Sequence, residues 1–196
     1  MRPPAIIILS GPSGAGKTTL LNKIFRKKNI KGKFIRAISY TTRKIRPKEK
    51  HGRDYFFISK RKFLQLKEKG FFLESQKVLD NYYGTAKYFY DKATKENKNL
   101  ILCIDVKGGM YLKKKQKEGK IITLFIAAPS ELDLFKRLKK RTEAMQTIQK
   151  RIALAKKEMK VSRQYDSIII NKDLNKSVAE LGKVLLENQP VRHTLA

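Results

Sequence analysis

Residues 5–19, Ala-Ile-Ile-Ile-Leu-Ser-Gly-Pro-Ser-Gly-Ala-Gly-Lys-Thr-Thr, constrain the fold more than any other stretch of the chain. Five apolar residues (5–9) read as a buried strand. Gly11 follows, then four residues, then Gly16, Lys17 and Thr18, which completes the G-x-x-x-x-G-K-[ST] pattern between a strand and a helix. Glycines let the backbone curl so that several N–H groups point at one anion. Lys17 adds a point charge toward the β- and γ-phosphates, and the Thr18 hydroxyl suits a phosphate-bound Mg²⁺. The helix that begins near Lys17 adds the positive end of its dipole. The run Gly11, Pro12, Ser13, Gly14, Ala15, Gly16, Lys17, Thr18 and Thr19 is therefore expected to hold a nucleoside triphosphate.

A chain of 196 residues is long enough for one sizeable core with small inserted subdomains. Its apolar runs are regularly spaced, and none approaches the length of a membrane span. Met1-Arg2-Pro3-Pro4 leads directly into the first strand, so no cleaved signal is expected. Cys103 is the only cysteine, which excludes an internal disulfide and points to a reducing cytoplasm. The net charge of +29 attracts polyanions. The lysines are spread through nearly every segment, whereas a dedicated nucleic-acid patch concentrates them on one element. The charge thus reads as a lysine-rich surface, and neither a specific nucleic acid nor a membrane is expected as a partner.

After the loop, residues 19–28 carry Leu20, Leu21, Ile24 and Phe25 at helical spacing. A strand is expected at 34–38, a polar, basic loop at 39–47, a strand at 54–58 and a short helix at 60–69. Residues 71–78, with Glu74, read as a strand, and 80–85 as a turn into another. These short strands break the β-α rhythm and read as an insertion. The rhythm then resumes: a helix at 88–97, a buried strand at 100–105 ending in Asp105, a basic helix at 108–118 and a strand at 121–127. Ser130 caps a long helix, which breaks over 141–146. A helix at 147–161, a strand at 167–170 and a last helix at 174–186 complete the chain. The expected class is α/β, a parallel sheet flanked by helices with ligands at the strands' C-terminal ends.

Several further motifs lie in one register: Ser39-x-Thr-Thr-Arg43-x-x-Arg46-Pro, Gly52-x-Asp54-Tyr55, Asn81-Tyr-Tyr-Gly-Thr85, Ile104-Asp105 with Gly108, and Asn171-x-x-Leu174. Together with the loop they resemble the guanylate kinases over nearly the whole chain. The resemblance implies a P-loop core (1–35, 89–130 and 156–190), a GMP-binding insertion of short strands (36–88) and a helical lid (131–155). It implies transfer of the γ-phosphoryl of ATP to GMP, with dGMP as a second acceptor, in purine nucleotide metabolism. Mg²⁺ is the implied cofactor, held by Thr18 with Asp105 as a further contact through water. ATP and GMP are the implied partners, and the chain is expected as a monomer or homodimer.

The residues suit that chemistry. Phosphoryl transfer is catalysed mostly by positioning and charge neutralisation, and arginine forks grip phosphate oxygens bidentately. By resemblance, Arg43, Arg46, Tyr55 and Tyr83 take the GMP phosphate, and Gly84 lies beside them. Guanine presents N1–H and N2–H₂ donors, so a carboxylate is the fitting partner. Glu74 has that position, with Ser39 assisting and Thr85 and Asp105 nearby. Adenine lacks the donor pair and would leave a buried carboxylate unpaired. Arg137, Arg141 and Arg151 match positions that reach the transferring phosphoryl group and the ATP phosphates, and Asn171 a position near the adenine. Lys17, Arg46, Arg141 and Arg151 are the expected catalytic set.

The chain departs from the family at three places. Cys103 stands where an acid is usual, and Lys107 where Gln is usual. The lid segment Arg141-Thr-Glu-Ala-Met-Gln-Thr147 is one residue shorter than usual and carries a single acid, Glu143. Three other readings stand beside kinase activity: a non-catalytic phosphopeptide-binding module of the same family, a basic nucleic-acid-binding protein, and a kinase for another nucleoside monophosphate.

Overall fold

The structure is a computed structural model and describes residues 3–115, 119–141, 144–187 and 190–193. In chain order the elements are β1 Ile6–Ser10, α1 Lys17–Ile24, α2 Lys28–Lys33, β2 Phe34–Arg36, β3 Tyr40–Thr41, β4 Phe56–Phe57, α3 Lys60–Glu68, β5 Phe72–Val78 and β6 Asn81–Ala86. There follow α4 Tyr88–Lys95, β7 Asn99–Cys103, α5 Val106–Lys115, β8 Ile121–Ala127, α6 Glu131–Lys139, α7 Met145–Val161, β9 Ser167–Ile170 and α8 Leu174–Glu187. The chain divides into two compact units, one of Met1–Ile8 with Gly32–Ile121 and one of Leu9–Lys31 with Ile122–Ala196.

In the first unit the strand order is β2-β7-β1, with β2 parallel to β7 and Ile35 opposite Leu100. β1 is buried along its whole length, as a strand covered on both faces should be. Ile6, Ile8, Leu100 and Leu102 pack with Phe89 and Ala93 of α4 and Leu112 of α5. The short strands form a separate sheet of order β4-β3-β6-β5. Here β3 is parallel to β4 and antiparallel to β6, which is antiparallel to β5. The amphipathic helix α3 buries Phe63, whose ring stacks on Phe72 of β5 at 4.6 Å between centroids. Burying one such side chain stabilises the fold by roughly 1.5–3 kcal/mol.

In the second unit β8 runs parallel to β9, with Phe125 opposite Ile168. α8 buries Val178, Leu181, Val184 and Leu185, and Gly182 brings it close to Ile24 of α1. Leu134 and Leu138 of α6 form a cluster with Ile148 and Ala155 of α7. The Ser130 hydroxyl accepts the Asp133 N–H at 3.0 Å, the cap expected for α6.

The parallel sheet and its flanking helices agree with the α/β class. Several boundaries differ. The helix expected at 19–28 ends at Ile24, where Arg26 N–H and Lys27 N–H bond to carbonyls three residues back and tighten the last turn. A second short helix, α2, then follows. Asp105 lies beyond the strand rather than ending it, because Cys103 is the last residue of β7. Cys103 is half-buried there, not sealed in the core. α7 begins at Met145, two residues earlier than expected. The expected helix end at residue 118 and the lid residues Thr142 and Glu143 lie outside the described residues.

Candidate active site

The phosphate loop joins β1 to α1 in the second unit. Gly11 adopts φ 132°, and a Cβ there would lie 2.1 Å from the Ile126 carbonyl oxygen, so only glycine fits. Gly16 is left-handed at φ 97° and precedes α1, which starts without a side-chain cap. The loop is pinned by its own Ala15 N–H to Pro12 carbonyl bond at 3.1 Å. Lys17 Nζ donates to the carbonyls of Gly11 and of Pro12, the latter at 3.0 Å, which holds its charge over the loop. Thr18 is half-buried in the first turn of α1, and Thr19 is exposed.

Four residues far along the chain converge on this loop. Arg151 Nη1 donates to Ser13 Oγ at 2.8 Å, and Arg141 Nη1 to the same oxygen at 3.3 Å. Arg137 donates to the Ala15 carbonyl at 3.3 Å and to the Asn171 carbonyl at 2.7 Å. Asn171 is buried, and its Nδ2 donates to the Ala15 carbonyl at 2.8 Å. The three arginines were expected together, and they are together. Their common pegs, Ser13 Oγ and Ala15 O, have no signal in sequence spacing. Electrostatically this is a backbone nest and helix terminus ringed by four cations, an arrangement that favours a polyanion.

The remaining candidates lie in the first unit, in two groups. Arg43 Nη2 forms an ion pair with Glu49 Oε1 at 2.9 Å, and its guanidinium lies 5.4 Å from the Tyr55 ring centroid. Tyr83 meets Tyr55 edge-on at 6.2 Å. Glu49 Oε2 accepts the Arg46 N–H at 2.9 Å, so one carboxylate orders both arginines' loop. Sequence reasoning missed Glu49; an acid three residues after Arg46 was the available hint. Arg43 loses some basicity to burial, but the Glu49 hydrogen bond and charge outweigh this and raise its pKa. On Tyr55 burial acts the other way, raising the phenol and keeping it neutral.

The second group centres on Glu74. It is 3% exposed and lies opposite Thr85 in the β5–β6 register. Thr85 Oγ1 donates to Glu74 Oε1 at 2.8 Å and meets Ser39 Oγ at 3.1 Å. Glu74 Oε2 is buried with no hydrogen-bond partner. Burial pushes this carboxyl up to about 8; the Asp105 charge adds to the rise, and the Thr85 hydrogen bonds oppose it. Asp105 caps α5 by accepting the Gly108 N–H at 3.0 Å. A Cβ on Gly108 would sit 2.8 Å from Glu74 Oε2 and 3.5 Å from Asp105 Oδ2, so glycine leaves the two carboxyls their room. Gly84 is buried beneath Phe63 and Phe72, which is a packing position. An orphaned buried acceptor of this kind can receive a ligand's N–H donor.

The description of the guanylate kinase family matches residues 3–188. The chain belongs to the guanylate kinase family. It is 40% identical over 181 residues to the guanylate kinase of Wolbachia sp. subsp. Brugia malayi (strain TRS), covering 92% of this chain and 91% of that one. It is also 40% identical over 183 residues to the guanylate kinase of Malacoplasma penetrans (strain HF-2), covering 93% and 92%. A crystal structure of guanylate kinase from Anaplasma phagocytophilum superposes with a TM-score of 0.75 at 25% identity, covering 96% of this chain and 88% of that one. These relatives are named guanylate kinases, which makes the chain a nucleoside monophosphate kinase and does not favour the phosphopeptide-module and nucleic-acid readings. No helix among the described residues is long and apolar enough to cross a membrane.

Proposed function

We propose that the chain transfers the γ-phosphoryl of ATP to GMP, giving ADP and GDP, with dGMP as a second acceptor. The observation that carries this reading is the buried Glu74 carboxyl, whose Oε2 lacks a hydrogen-bond partner while Oε1 is held by Thr85. Guanine's N1–H and N2–H₂ pair meets such a carboxylate. Adenine would leave it desolvated and unpaired. Ser39 orients Thr85, and Asp105 supplies a second carboxyl beside Gly108. Arg43, Arg46, Tyr55 and Tyr83 are assigned to the acceptor phosphate, with Glu49 ordering the two arginines' loop.

The loop Gly11 to Thr19 is assigned to the donor triphosphate. Lys17 neutralises charge on its β- and γ-phosphates, and Arg141 and Arg151 stabilise the phosphoryl group as it transfers. Among the described residues no cluster of three or more His, Cys, Asp or Glu side chains has the makings of a metal cage. A Mg²⁺ carried in on the triphosphate keeps most of its ligands as phosphate oxygens and waters, and the Thr18 hydroxyl in the first turn of α1 would give it one protein oxygen. When bound, the ion neutralises the phosphate oxygens. We further infer that residues 36–88, with their own four-stranded sheet, are the acceptor-binding insertion, and 131–155 the lid. The purine nucleotide pool of the cytoplasm is the natural setting for this reaction.

The test is turnover of the purified chain with ATP, Mg²⁺ and GMP, followed as ADP and GDP. Formation of both products, abolished in Lys17→Ala, is the expected result. Equal rates in the wild type and Lys17→Ala would overturn the proposal.

A further inference from the structure

The Ala15–Gly16 peptide is gripped by side chains 122 and 156 residues away in sequence. Asn171 is 6% exposed, and its backbone N–H is tied to the Ala127 carbonyl at the end of β8 at 2.8 Å. From that fixed point its Nδ2 donates to the Ala15 carbonyl at 2.8 Å. Arg137, in the last turn of α6, donates to the same carbonyl at 3.3 Å and to the Asn171 carbonyl at 2.7 Å. The second bond ties the two braces to each other. A trans peptide points its C=O and N–H in opposite directions. Anchoring the Ala15 oxygen therefore fixes the direction of the Gly16 N–H, one of the donors a phosphate-binding loop needs. A Cβ on Gly16 would lie 2.2 Å from Asn171 Nδ2, so the glycine makes room for the brace as well as for the turn.

We propose that Asn171 and Arg137 are positioning residues that lock the Ala15–Gly16 peptide, so that the Gly16 N–H faces the polyphosphate. This rests on the triphosphate reading of the loop, but it changes the part these two residues play. Asn171 acts on any polyphosphate, whatever base is attached, and Arg137 acts through its fork as well as its charge. A lysine keeps the charge but offers a single nitrogen in place of the two forked nitrogens that Arg137 sets on the Ala15 and Asn171 carbonyls.

The experiment is titration calorimetry of the full chain with inorganic tripolyphosphate, with ATP and with GMP. Asn171→Ala is expected to weaken tripolyphosphate and ATP by the same factor, about tenfold, as befits one lost buried hydrogen bond. Arg137→Lys is expected to weaken both by a common factor of about three or more. GMP binding stays at the wild-type value in each, whereas general structural damage would weaken it too. If Asn171→Ala does not fold, Arg137→Lys alone decides the matter. A loss confined to ATP overturns the proposal and returns Asn171 to the base. Wild-type affinities in both variants overturn it as well. A wild-type chain that binds neither tripolyphosphate nor ATP overturns the triphosphate reading itself, and the brace with it.

Discussion

The two units place their charged side chains in different ways. The second unit surrounds one short loop with cations that hold backbone carbonyls and a single hydroxyl: Lys17 on Gly11 and Pro12, Arg137 on Ala15, Arg141 and Arg151 on Ser13. The first unit balances its arginines with Glu49 and buries a carboxyl whose second oxygen has no hydrogen-bond partner. On the proposed function the difference follows from the two substrates. A triphosphate is recognised by charge and curvature, which a loop and a helix terminus supply locally. A particular base is recognised by donors and acceptors, which must be desolvated to discriminate, and desolvation requires a sheet such as β4-β3-β6-β5 to seal them.

This contrast is open to attack from both sides. The largest effect is expected at Lys17: replacement by Ala should lower kcat by about 10³-fold, the scale of a lost phosphate-neutralising cation. Calorimetric GMP affinity should not move; a parallel loss of GMP binding would break the division of labour. Next comes Arg46→Ala, expected to cost about 2.7–4 kcal/mol in kcat/KM for GMP. The KM for ATP should hold, and an unchanged kcat/KM would show that Arg46 is misassigned.

Glu74→Gln is expected to lower kcat/KM for GMP by roughly 5–150-fold, the range for one buried polar mismatch, and to narrow the gap to AMP. An intact gap would remove Glu74 from base recognition.

The pH dependence gives a smaller effect of definite sign. The Glu74 carboxyl is raised from 4.5 to about 8 in the folded chain. Between those values the native state keeps a proton that the unfolded state has lost. Its contribution to stability is therefore full below about pH 4.5 and is lost as pH rises toward 8. One proton gives a slope of at most about 1.4 kcal/mol per pH unit. Chemical denaturation across that window should show a decline with rising pH that is flatter in Glu74→Gln. GMP binding should tighten over the same range, because guanine needs the carboxylate. An identical pH profile in the variant would assign the slope to other groups.

The smallest expected effect is Ser13→Ala. It should reduce kcat a few-fold by freeing Arg141 and Arg151 from their shared oxygen, about 1 kcal/mol. Ser13→Thr should restore it, and a variant at the wild-type rate would show that the arginines need no peg.

The two halves were not equally legible in the sequence. β8 and β9 are legible at their true bounds because each is a short, mostly apolar run rich in isoleucine. The phosphate loop was legible because its chemistry is contiguous. β3 and β4 are two residues each, too short to carry a period, and they are strands only because β6 pairs with β3 and because the Phe56 and Ile58 N–H groups donate to the Ser39 and Thr41 carbonyls. Helix α2, Lys-Asn-Ile-Lys-Gly-Lys, has one buried residue, Ile30, and no amphipathic pattern to betray it. Glu74 could be named in advance but not weighed. Its burial depends on Thr85, Ser39 and Gly108, which only the fold assembles. Asn171 was expected near a base, yet its side chain spends a donor on the loop; no spacing in the sequence encodes a contact across 156 residues.

On the proposed reading the buried Glu74 carboxyl selects the acceptor of the phosphoryl group. The most direct test is one coupled assay of kcat/KM with ATP and Mg²⁺ across GMP, dGMP, AMP and UMP. GMP is expected first with dGMP behind it, and AMP and UMP roughly 10⁴-fold lower, the discrimination of a site built to hydrogen-bond its substrate. AMP or UMP within about tenfold of GMP would contradict the account, since only ~1.4 kcal/mol would then separate the bases.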